Sequence, residues 1–290
     1  MELNIKTKGY FIMAITNFIP TIWSENLYSE LDKQYIAVAN CNREFEGDIK
    51  NKGSVVKICG VGNVTVSDYT KNTDMSDPQL LSDTVKDLYI DQAKYFNFQI
   101  DDIDRAQCTP KLMSAAMKIA ANSLANEADK YIFNLYDYAG STVICENATK
   151  DNIIDYIIDA RTKLYNNNVT DAHEVVVEVS PDVAALILKA KINLSTDNGE
   201  ALEAGCLGSI GGSKIYVSNN IFSDDVGGAY AHKCFVRTKR AIAFAEQLSE
   251  IEAYRPEKRF SDAVKGLHLY GAKVVYPKEL VCLDVTTIYE

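Results

Sequence analysis

Two glycine-rich stretches are the first places where this sequence could bind a nucleotide or a phosphate. Gly60-Val61-Gly62 follows a β-rich run, as the start of a dinucleotide-binding fingerprint does. Thr65 stands where the third glycine belongs, however, and a second β-rich run follows where that motif needs a helix. Residues 205–212 contain four glycines that could expose backbone N–H groups to a phosphate, but no P-loop Lys-Ser/Thr pair follows them. We therefore interpret both stretches as turns of the backbone.

Candidate metal ligands and nucleophiles lack the spacing that their chemistry needs. The carboxylates between Asp101 and Asp104 look like the start of a calcium loop, yet Gln107 and Met113 stand where a glycine and a bidentate glutamate are required. The three histidines have no zinc-ligand spacing, and the serines of the glycine-rich loop lie in no G-x-S-x-G elbow. The sequence thus predicts no catalytic residue, no metal and no cofactor. A stand-alone enzyme with an α/β domain, the competing hypothesis, would need such a group.

The composition restricts the classes of protein to which the chain can belong. Its 290 residues carry a net charge of −10 without a basic tail, so tight binding to nucleic-acid phosphates is not expected. No apolar stretch reaches the roughly 20 residues that a membrane helix requires. The seven scattered cysteines include no C-x-x-C pair, which predicts reduced, mostly buried thiols in a cytosolic compartment. Met13 is an alternative start, in which case the preceding residues are an extension.

One long helix is predicted from Thr109 to Ala139, and the other elements must be arranged around it. Thr109 can cap this helix, Pro110 suits its first turn, and Gly140 stands where it would end. Apolar residues recur along it at steps of three and four, which places them on one face. They are Met113, Met117, Ala120, Leu124, Ala128, Tyr131, Leu135 and Tyr138. Such a helix is roughly 45 Å long, more than one compact domain of this size needs.

A long hairpin is predicted before this helix. The β-rich runs 54–58 and 64–69 lead into a polar stretch at 70–82, and a second long run extends from Leu88 to Ile100. In that second run apolar and polar side chains alternate, as in a strand with one buried face. An isolated two-stranded ribbon is marginally stable in water. The hairpin therefore needs a second molecule to lie on, which indicates that the protein works as an assembly.

The remaining segments predict an α+β fold. An apolar N-terminal arm precedes a short helix over residues 25–38 that Ser24 can cap. Residues 149–247 alternate strands and helices, and we expect them to form an insertion-like second domain with loops at 193–213 and 224–229. The last forty residues return to strands at 250–254, 267–275 and 280–285. We expect these strands to close the layer begun before the long helix.

A charged bend near the end of the chain is a candidate contact surface. Residues 250–265 carry both signs of charge beside Tyr254 and Phe260. A run of this kind is often only a solvated face. Mixed charges next to aromatic side chains also suit a contact between subunits with complementary charges.

Six segments, taken in order, resemble tailed-bacteriophage major capsid proteins. They read ITNFIPTIWS, NREFEGDI, VSDYTKNTDM, IDQAKYFNFQIDDID, GSIGGSKIYVSNNI and FAEQLSEIEAYRPEKRFSDAVKGLHLYGAKVVYP. Each segment alone is moderately specific, but all six occur in the expected order from about Ala14 to Asp284. The resemblance implies the Hong-Kong-ninety-seven-type fold, which encapsulin shells share.

The resemblance also implies a division of the chain into named parts. Residues 1–47 would be the N-arm, and residues 48–90 the extended E-loop. Residues 91–148 and 248–290 would form the peripheral domain, with its spine helix at 109–139. Residues 149–247 would form the axial domain around the hexamer and pentamer axes.

A shell-forming function follows from the same resemblance. The chain would self-assemble into an icosahedral procapsid and then a mature head enclosing double-stranded DNA, in the host cytoplasm and finally in the virion. The expected partners are copies of itself, a portal, possible decoration proteins and a scaffolding protein, which would be separate because the chain begins close to the arm. The alternative is an encapsulin-like compartment that packages a cargo enzyme.

We expect particular residues to make the subunit contacts and to let the outgrowths flex. The predicted contact residues are Trp23, Tyr69, Tyr254, Arg255, Arg259 and Phe260. Gly60 and Gly62, with the polar tip at 70–82, are the predicted flex points because glycine has the widest backbone freedom. The acidic balance would keep packaged DNA from adhering to the wall.

Overall fold

The computed structural model describes most of the chain and all of its central elements. The described residues are 27, 29–45, 55–61, 66, 68–69, 71–72, 74, 77, 83–101, 112–169, 175–190, 206–226, 229–258 and 260–288. Within these residues the α-helices with defined bounds are α1 (Leu112–Phe133), α2 (Ile153–Asn166) and α3 (Pro181–Lys189). The strands are β1 (Val55–Val61), β2 (Asp83–Tyr89), β3 (Gln92–Asp101), β4 (Ser141–Cys145), β5 (Val175–Val179), β6 (Cys206–Ile210), β7 (Ser213–Val217), β8 (Ser223–Val226), β9 (Ala229–Thr238), β10 (Ile242–Tyr254), β11 (Ser261–Val274) and β12 (Leu280–Ile288). Within this part of the chain, no helix is long and apolar enough to cross a membrane.

The hairpin is present, but its second arm is shorter than the sequence predicts. β1 pairs antiparallel with β2, from Val55 opposite Tyr89 to Val61 opposite Asp83. The predicted single strand from Leu88 to Ile100 is wrong, because the chain leaves β2 after Tyr89 and starts β3 in a different sheet. Ile90, at the break, is fully buried. Of the predicted run 64–69, residues 66, 68 and 69 are described and lie in no strand, and the others lie outside the described residues.

A three-stranded antiparallel sheet, in the order β10-β11-β3, carries the hairpin on one face and α1 on the other. The alternation predicted for β3 is confirmed, since Phe96 and Phe98 pack against the main core while Tyr95, Asn97 and Gln99 are exposed. β11 pairs with β3 over ten residues, as expected for strands that close the layer begun before the long helix.

The larger sheet has seven strands and mixes early, middle and late parts of the chain. Its order is β4-β12-β9-β5-β7-β6, with β8 paired to β9. The sequence predicts that residues 280–285 join the first layer, and this prediction is wrong. β12 lies in the larger sheet, between β4 and β9. β6 and β8 also form strands where loops are predicted, because each pairs with a neighbour in this sheet.

The long helix is shorter than predicted at its C-terminal end. α1 ends at Phe133, residues Asn134–Tyr138 continue as a 3-10 helix, and Ala139 is extended. Residues 109–111, at the predicted start, lie outside the described residues. A glycine is needed at position 140, after the 3-10 helix, because the chain there lies directly against residue 277. The Gly140 N–H donates to the Pro277 carbonyl oxygen at 2.9 Å, and a Cβ would collide with that carbonyl group.

Much of the predicted N-arm lies in the core of the subunit. Leu27, Leu31, Ala37 and Val38 are fully buried in the main hydrophobic cluster with α1 and both sheets. The helical segment ends at residue 34, earlier than the predicted 38, and residues 38–40 form a 3-10 turn. Residues 27–45 are thus part of the folded body, while residues 1–26 lie outside the described residues.

Candidate subunit-contact surfaces

The base of the hairpin lies on its own subunit. Val56, Ile58, Leu88 and Ile90 are buried in a second hydrophobic cluster. They pack on β10, β11 and the residue after β11, through Ala243, Ala245, Leu269 and Val275. The sequence suggests that the whole ribbon needs a second molecule to lie on. The structure shows that the base of the ribbon does not. Its base is stabilised within the chain.

Two lysines fasten this base to the sheet below it. The Lys86 side chain donates to the Val275 carbonyl oxygen. The Lys273 side chain donates to the Asp87 carbonyl oxygen at 2.7 Å. At Gly271 the β2 backbone crosses so closely that a Cβ would collide with the Tyr89 carbonyl oxygen and lie 3.2 Å from the Ile90 Cα. The small residues of β10 and β11, such as Ala243, Ala245 and Gly271, thus let the backbone of the hairpin base lie directly on the sheet.

The outer part of the hairpin presents apolar side chains that nothing in the described chain covers. Val66 is 92 % exposed and Tyr69 is 75 % exposed. Val55, Val85 and Tyr89 are exposed on the face opposite the docked one. Gly60, a predicted flex point, lies inside β1 opposite Thr84, and Gly62 lies outside the described residues.

The charged bend between β10 and β11 brings together several of the predicted contact residues. Phe260 is 84 % exposed, which agrees with an aromatic side chain available to a partner. Tyr254 is held within the subunit, since its hydroxyl donates to Asn97 Oδ1 at 3.1 Å and Lys265 lies over its ring. Arg255 forms an ion pair with Asp262, its Nε 3.4 Å from Oδ1. Trp23 and Arg259 lie outside the described residues.

A neighbouring apolar pair extends this surface along the sheet. Tyr95 on β3 is 78 % exposed and stands directly opposite Leu267 on β11. Both side chains are on the sheet face that the hairpin base covers further along, because Leu269 is two residues from Leu267. One end of this face is covered by the chain itself, and the other end is open.

Sequence reasoning missed a buried polar junction that joins the N-terminal segment to the rest of the molecule. Asp129 on α1 accepts the backbone N–H groups of Ile36, Ala37 and Val38, each at 3.1 Å. These bonds replace the helical bonds that residues 36–38 would otherwise make, which explains the early end of the N-terminal helix. One signal was available: Asp129 lies four residues after Ala125 in a buried stripe of small residues.

An ion pair fixes the same segment to the larger sheet. Arg237 Nε lies 2.9 Å from Glu178 Oε2, and both side chains are completely buried. The guanidinium also donates to the carbonyl oxygens of Asn40, at 2.6 Å, and Ala37, at 3.0 Å. Asn40 in turn donates to Glu178 at 3.1 Å. No local pattern marks such residues, because their partners are distant along the chain.

A third polar group connects the N-terminal segment to β10. Glu246 accepts a hydrogen bond from the Tyr35 hydroxyl and an ion pair from Arg43 at 2.8 Å. His268 Nε2 lies 2.8 Å from the same carboxylate and is fully buried. Burial and the neighbouring carboxylate raise the pKa of Tyr35 above its ordinary value, so the phenol remains a donor. Residues 35–43 are therefore held by α1 and by both sheets.

The junction makes the stability of the subunit depend on pH through Asp129. Burial raises the pKa of Asp129 to about 7, against the opposite effect of its three backbone donors. Between the unfolded pKa near 3.9 and this folded value, the native state binds the extra proton, so stability falls as pH rises through that window. We expect the slope to approach about 1.4 kcal/mol per pH unit.

Asp129→Asn mimics the protonated carboxyl and should remove this slope. Chemical denaturation of both proteins between pH 4.5 and 8 measures the effect. The wild type should lose stability relative to the variant as pH rises. A difference that stays constant, or grows in favour of the wild type at high pH, would contradict the expected direction.

The described residues show no arrangement for metal or thiol chemistry. No group of three His, Cys, Asp or Glu side chains in the described ranges could hold a metal ion. Cys41, Cys145, Cys234 and Cys282 are buried, as the sequence predicts for most of the thiols. Burial raises the pKa of Cys234 and Cys282 to about 12, so both remain protonated.

Comparison with solved structures finds phage capsids. The chain is 31 % identical to a structure from Mycobacterium phage Che8, with a TM-score of 0.67, and the match covers 86 % of this chain and 91 % of that one. The capsid of Ralstonia phage GP4 matches with a TM-score of 0.66 at 12 % identity, covering 88 % and 90 % of the two chains. A virus-like particle from Pyrococcus furiosus matches less closely, with a TM-score of 0.55 at 11 % identity over 93 % and 100 %. No protein-family model and no curated protein matches the chain.

Proposed function

The chain belongs to the tailed-bacteriophage major capsid proteins of the Hong-Kong-ninety-seven-type fold, and from this premise we propose how its parts build the shell. The protein is a structural component of the virion, and copies of it assemble into the capsid. The phage capsids match it more closely than the virus-like particle does, which favours a phage head over a cargo compartment. The observation that carries this conclusion is the 31 % identity over nearly the whole chain.

We assign the N-arm to residues 1–47, of which residues 27–45 pack into the folded body, the E-loop to 48–90, and the peripheral domain to 91–148 and 248–290. The spine helix, predicted at 109–139 and ending at Phe133 in the structure, belongs to the peripheral domain, and residues 149–247 form the axial domain. The strand pairings favour two changes to these bounds. Because β4 pairs with β12, and β12 with β9, residues 141–145 and 280–288 belong with the larger sheet and thus with the axial domain.

The distal hairpin contacts a second copy of the chain in this proposal. Its base is already satisfied by the second hydrophobic cluster, whereas Val66 and Tyr69 are exposed. The open end of the three-stranded sheet, with Tyr95 opposite Leu267, offers an apolar surface of the same kind that the hairpin base already covers. Gly60 and Gly62 allow the distal part to change direction between five-fold and six-fold settings.

The charged bend contacts another neighbour. Phe260 and the guanidinium of Arg255 lie at the end of the β10–β11 ribbon, where they can reach beyond the subunit. Trp23, Tyr69, Tyr254 and Arg259 complete the proposed contact set. Opposite charges on either side of Phe260 would fix how the two subunits align at this contact, and would add less to the affinity between them.

Assembly in the host cytoplasm also involves other proteins in this proposal. A separate scaffolding protein directs a procapsid, a portal occupies one vertex, and decoration proteins can bind the outer surface. The shell then matures as double-stranded DNA is packaged. The net charge of −10 keeps the wall from binding that DNA tightly.

A hairpin deletion tests the proposed role of the E-loop. Cys59 and Val85 are paired residues, so an Asn-Gly turn can join them in place of Gly60–Thr84. This change keeps Val56, Ile58 and Leu88 in their cluster. We expect folded, soluble subunits that form no shells, because the part that reaches the neighbouring copy is gone.

Electron microscopy of the expressed protein, with and without a scaffold, gives the readout, and circular dichroism checks the fold. Normal shells from the deletion variant would refute the E-loop role. Wild-type particles from infected cells should contain phage DNA. Particles that contain a cargo enzyme in place of DNA would favour the encapsulin-like alternative.

A further inference from the structure

A groove on the larger sheet has the features of a binding site. It lies between α2 and the β6–β7 turn and has a volume of about 280 Å³. Its lining residues are Ile157, Ile158, Arg161, Thr162, Tyr165, Val177, Ile210, Gly211 and Ser213. Most of this lining is apolar, and its polar groups are concentrated around one guanidinium.

The guanidinium of Arg161 is fixed in place at this groove. Its Nη1 donates to the carbonyl oxygen of Gly211, and its Nη2 donates to the Tyr165 hydroxyl at 2.6 Å. The Tyr165 ring also lies against it, with Cζ 5.3 Å from the ring centroid. Gly211 has a φ of +55°, and a Cβ at this position would collide with Nη1. The glycine turn therefore leaves room for the charged group.

Two donors at the groove have no acceptor. Arg161 Nε and Ser213 Oγ are buried and make no hydrogen bond, and Ser213 is only 1 % exposed. No carboxylate in the described part of the chain forms an ion pair with Arg161, unlike Arg43, Arg237, Arg240 and Arg255. Buried donors without partners are unfavourable, so an acceptor that enters the groove would be stabilised.

We propose that this groove receives a carboxylate side chain from a second copy of the chain, in the assembled shell. The inference rests on the proposed function, because it needs copies packed side by side. A carboxylate would complement the charge of the Arg161 guanidinium, accept from its free Nε–H and from the Ser213 hydroxyl, and place its apolar stem against Ile157 and Ile210.

Three observations favour a side chain of another copy over a free small molecule. The groove is smaller than the roughly 300–1,000 Å³ typical of small-molecule sites. Among its lining residues, Ile158 on α2 is 48 % exposed, so the apolar rim of the groove continues onto the surface of the subunit. The chain carries ten more acidic than basic groups, so each copy offers carboxylates to its neighbour.

A cryo-electron-microscopy map of wild-type shells tests the proposal directly. We expect a carboxylate oxygen of the adjacent copy within hydrogen-bond distance of Arg161 or Ser213. A groove that is empty, or that holds a residue of the same copy or a small molecule, would overturn the inference while leaving the shell function intact. If no shells form under any condition, the proposed function fails, and this inference fails with it.

Two variants measure the effect of the contact on assembly. Arg161→Gln should raise the subunit concentration needed for shell formation by about thirtyfold or more, the effect of losing one buried charged contact. Ser213→Ala should raise it less and leave the melting of the free subunit unchanged, because the hydroxyl has no partner there. Lys150→Gln, at an exposed position before α2, is the matched control and should assemble normally. Normal assembly of both groove variants would contradict the proposal.

Discussion

Arg237→Met is expected to destabilise the free subunit by about 3–5 kcal/mol, the typical effect of removing one partner of a buried ion pair. Methionine fills much of the space but leaves the Glu178 carboxylate buried without its cation. The variant also removes the donors to the Asn40 and Ala37 carbonyl oxygens. The segment that connects the N-terminal residues to the larger sheet would loosen as a result. Urea denaturation of unassembled subunits measures the change.

Two further variants show whether the effect comes from the unpaired carboxylate. Arg237→Met combined with Glu178→Leu should recover part of the loss, because no charge is then left buried. Arg240→Met is the matched control: its ion pair with Glu279, at 2.7 Å, involves a half-exposed guanidinium. That control should change stability by less than about 1 kcal/mol. Equal losses for Arg237→Met and Arg240→Met would contradict the assigned role of the buried pair.

Gly271→Ala is expected to move the hairpin base off the three-stranded sheet. The new Cβ would collide with the Tyr89 carbonyl group and would approach the Ile90 Cα, and both belong to the backbone. Backbone cannot rotate away as a side chain can, so we expect a loss of about 1–3 kcal/mol from overpacking. Leu88 and Ile90 would also leave their buried positions in the second cluster. The distal hairpin would then point in a wrong direction and shells would fail to form.

Limited proteolysis and shell yield measure this change together. The Gly271→Ala hairpin should be cleaved faster than the wild-type hairpin. Gly266→Ala on the same strand is the matched control, since the atoms nearest to its Cβ belong to the Phe96 ring, a side chain that can shift where backbone cannot. We expect Gly266→Ala to keep a protected hairpin and most of its shell yield. A protected hairpin and normal shells from Gly271→Ala would show that the close crossing is not required.

The local elements could be predicted because their causes lie within a few residues. Ser180 caps α3, its Oγ accepting the Val183 N–H at 3.4 Å, as a Ser-Pro sequence favours at the start of a helix. α2 ends at Asn166, and Asn168 has a φ of +62°, a conformation that asparagine adopts more readily than most residues. The valine-rich run before Ser180 is a strand with five buried residues in succession. Neighbouring side chains and backbone alone decide these features.

The candidate contact surfaces were predicted only in part. Phe260 and Tyr69 are exposed, as a contact with a second subunit requires. Tyr254 instead donates a hydrogen bond to Asn97, which is 157 residues away in the sequence. The pairing of β11 with β3 brings the two residues together. The Arg161 groove was not predicted, because the glycine-rich loop gave no sign that a guanidinium from α2 would occupy it.

The sequence by itself determined the α+β class, the caps and turns, the alternation of β3 and, through six resembling segments, the capsid family. Only the tertiary structure decided where the run from Leu88 to Ile100 breaks, which sheet receives β12, and which buried charges hold residues 35–43. Periodicity and propensity report on contacts within one or two turns of the chain. Glu178 and Asn40, by contrast, are 138 residues apart, and such partners meet only when the whole core packs, because burial makes an unpaired charge unfavourable.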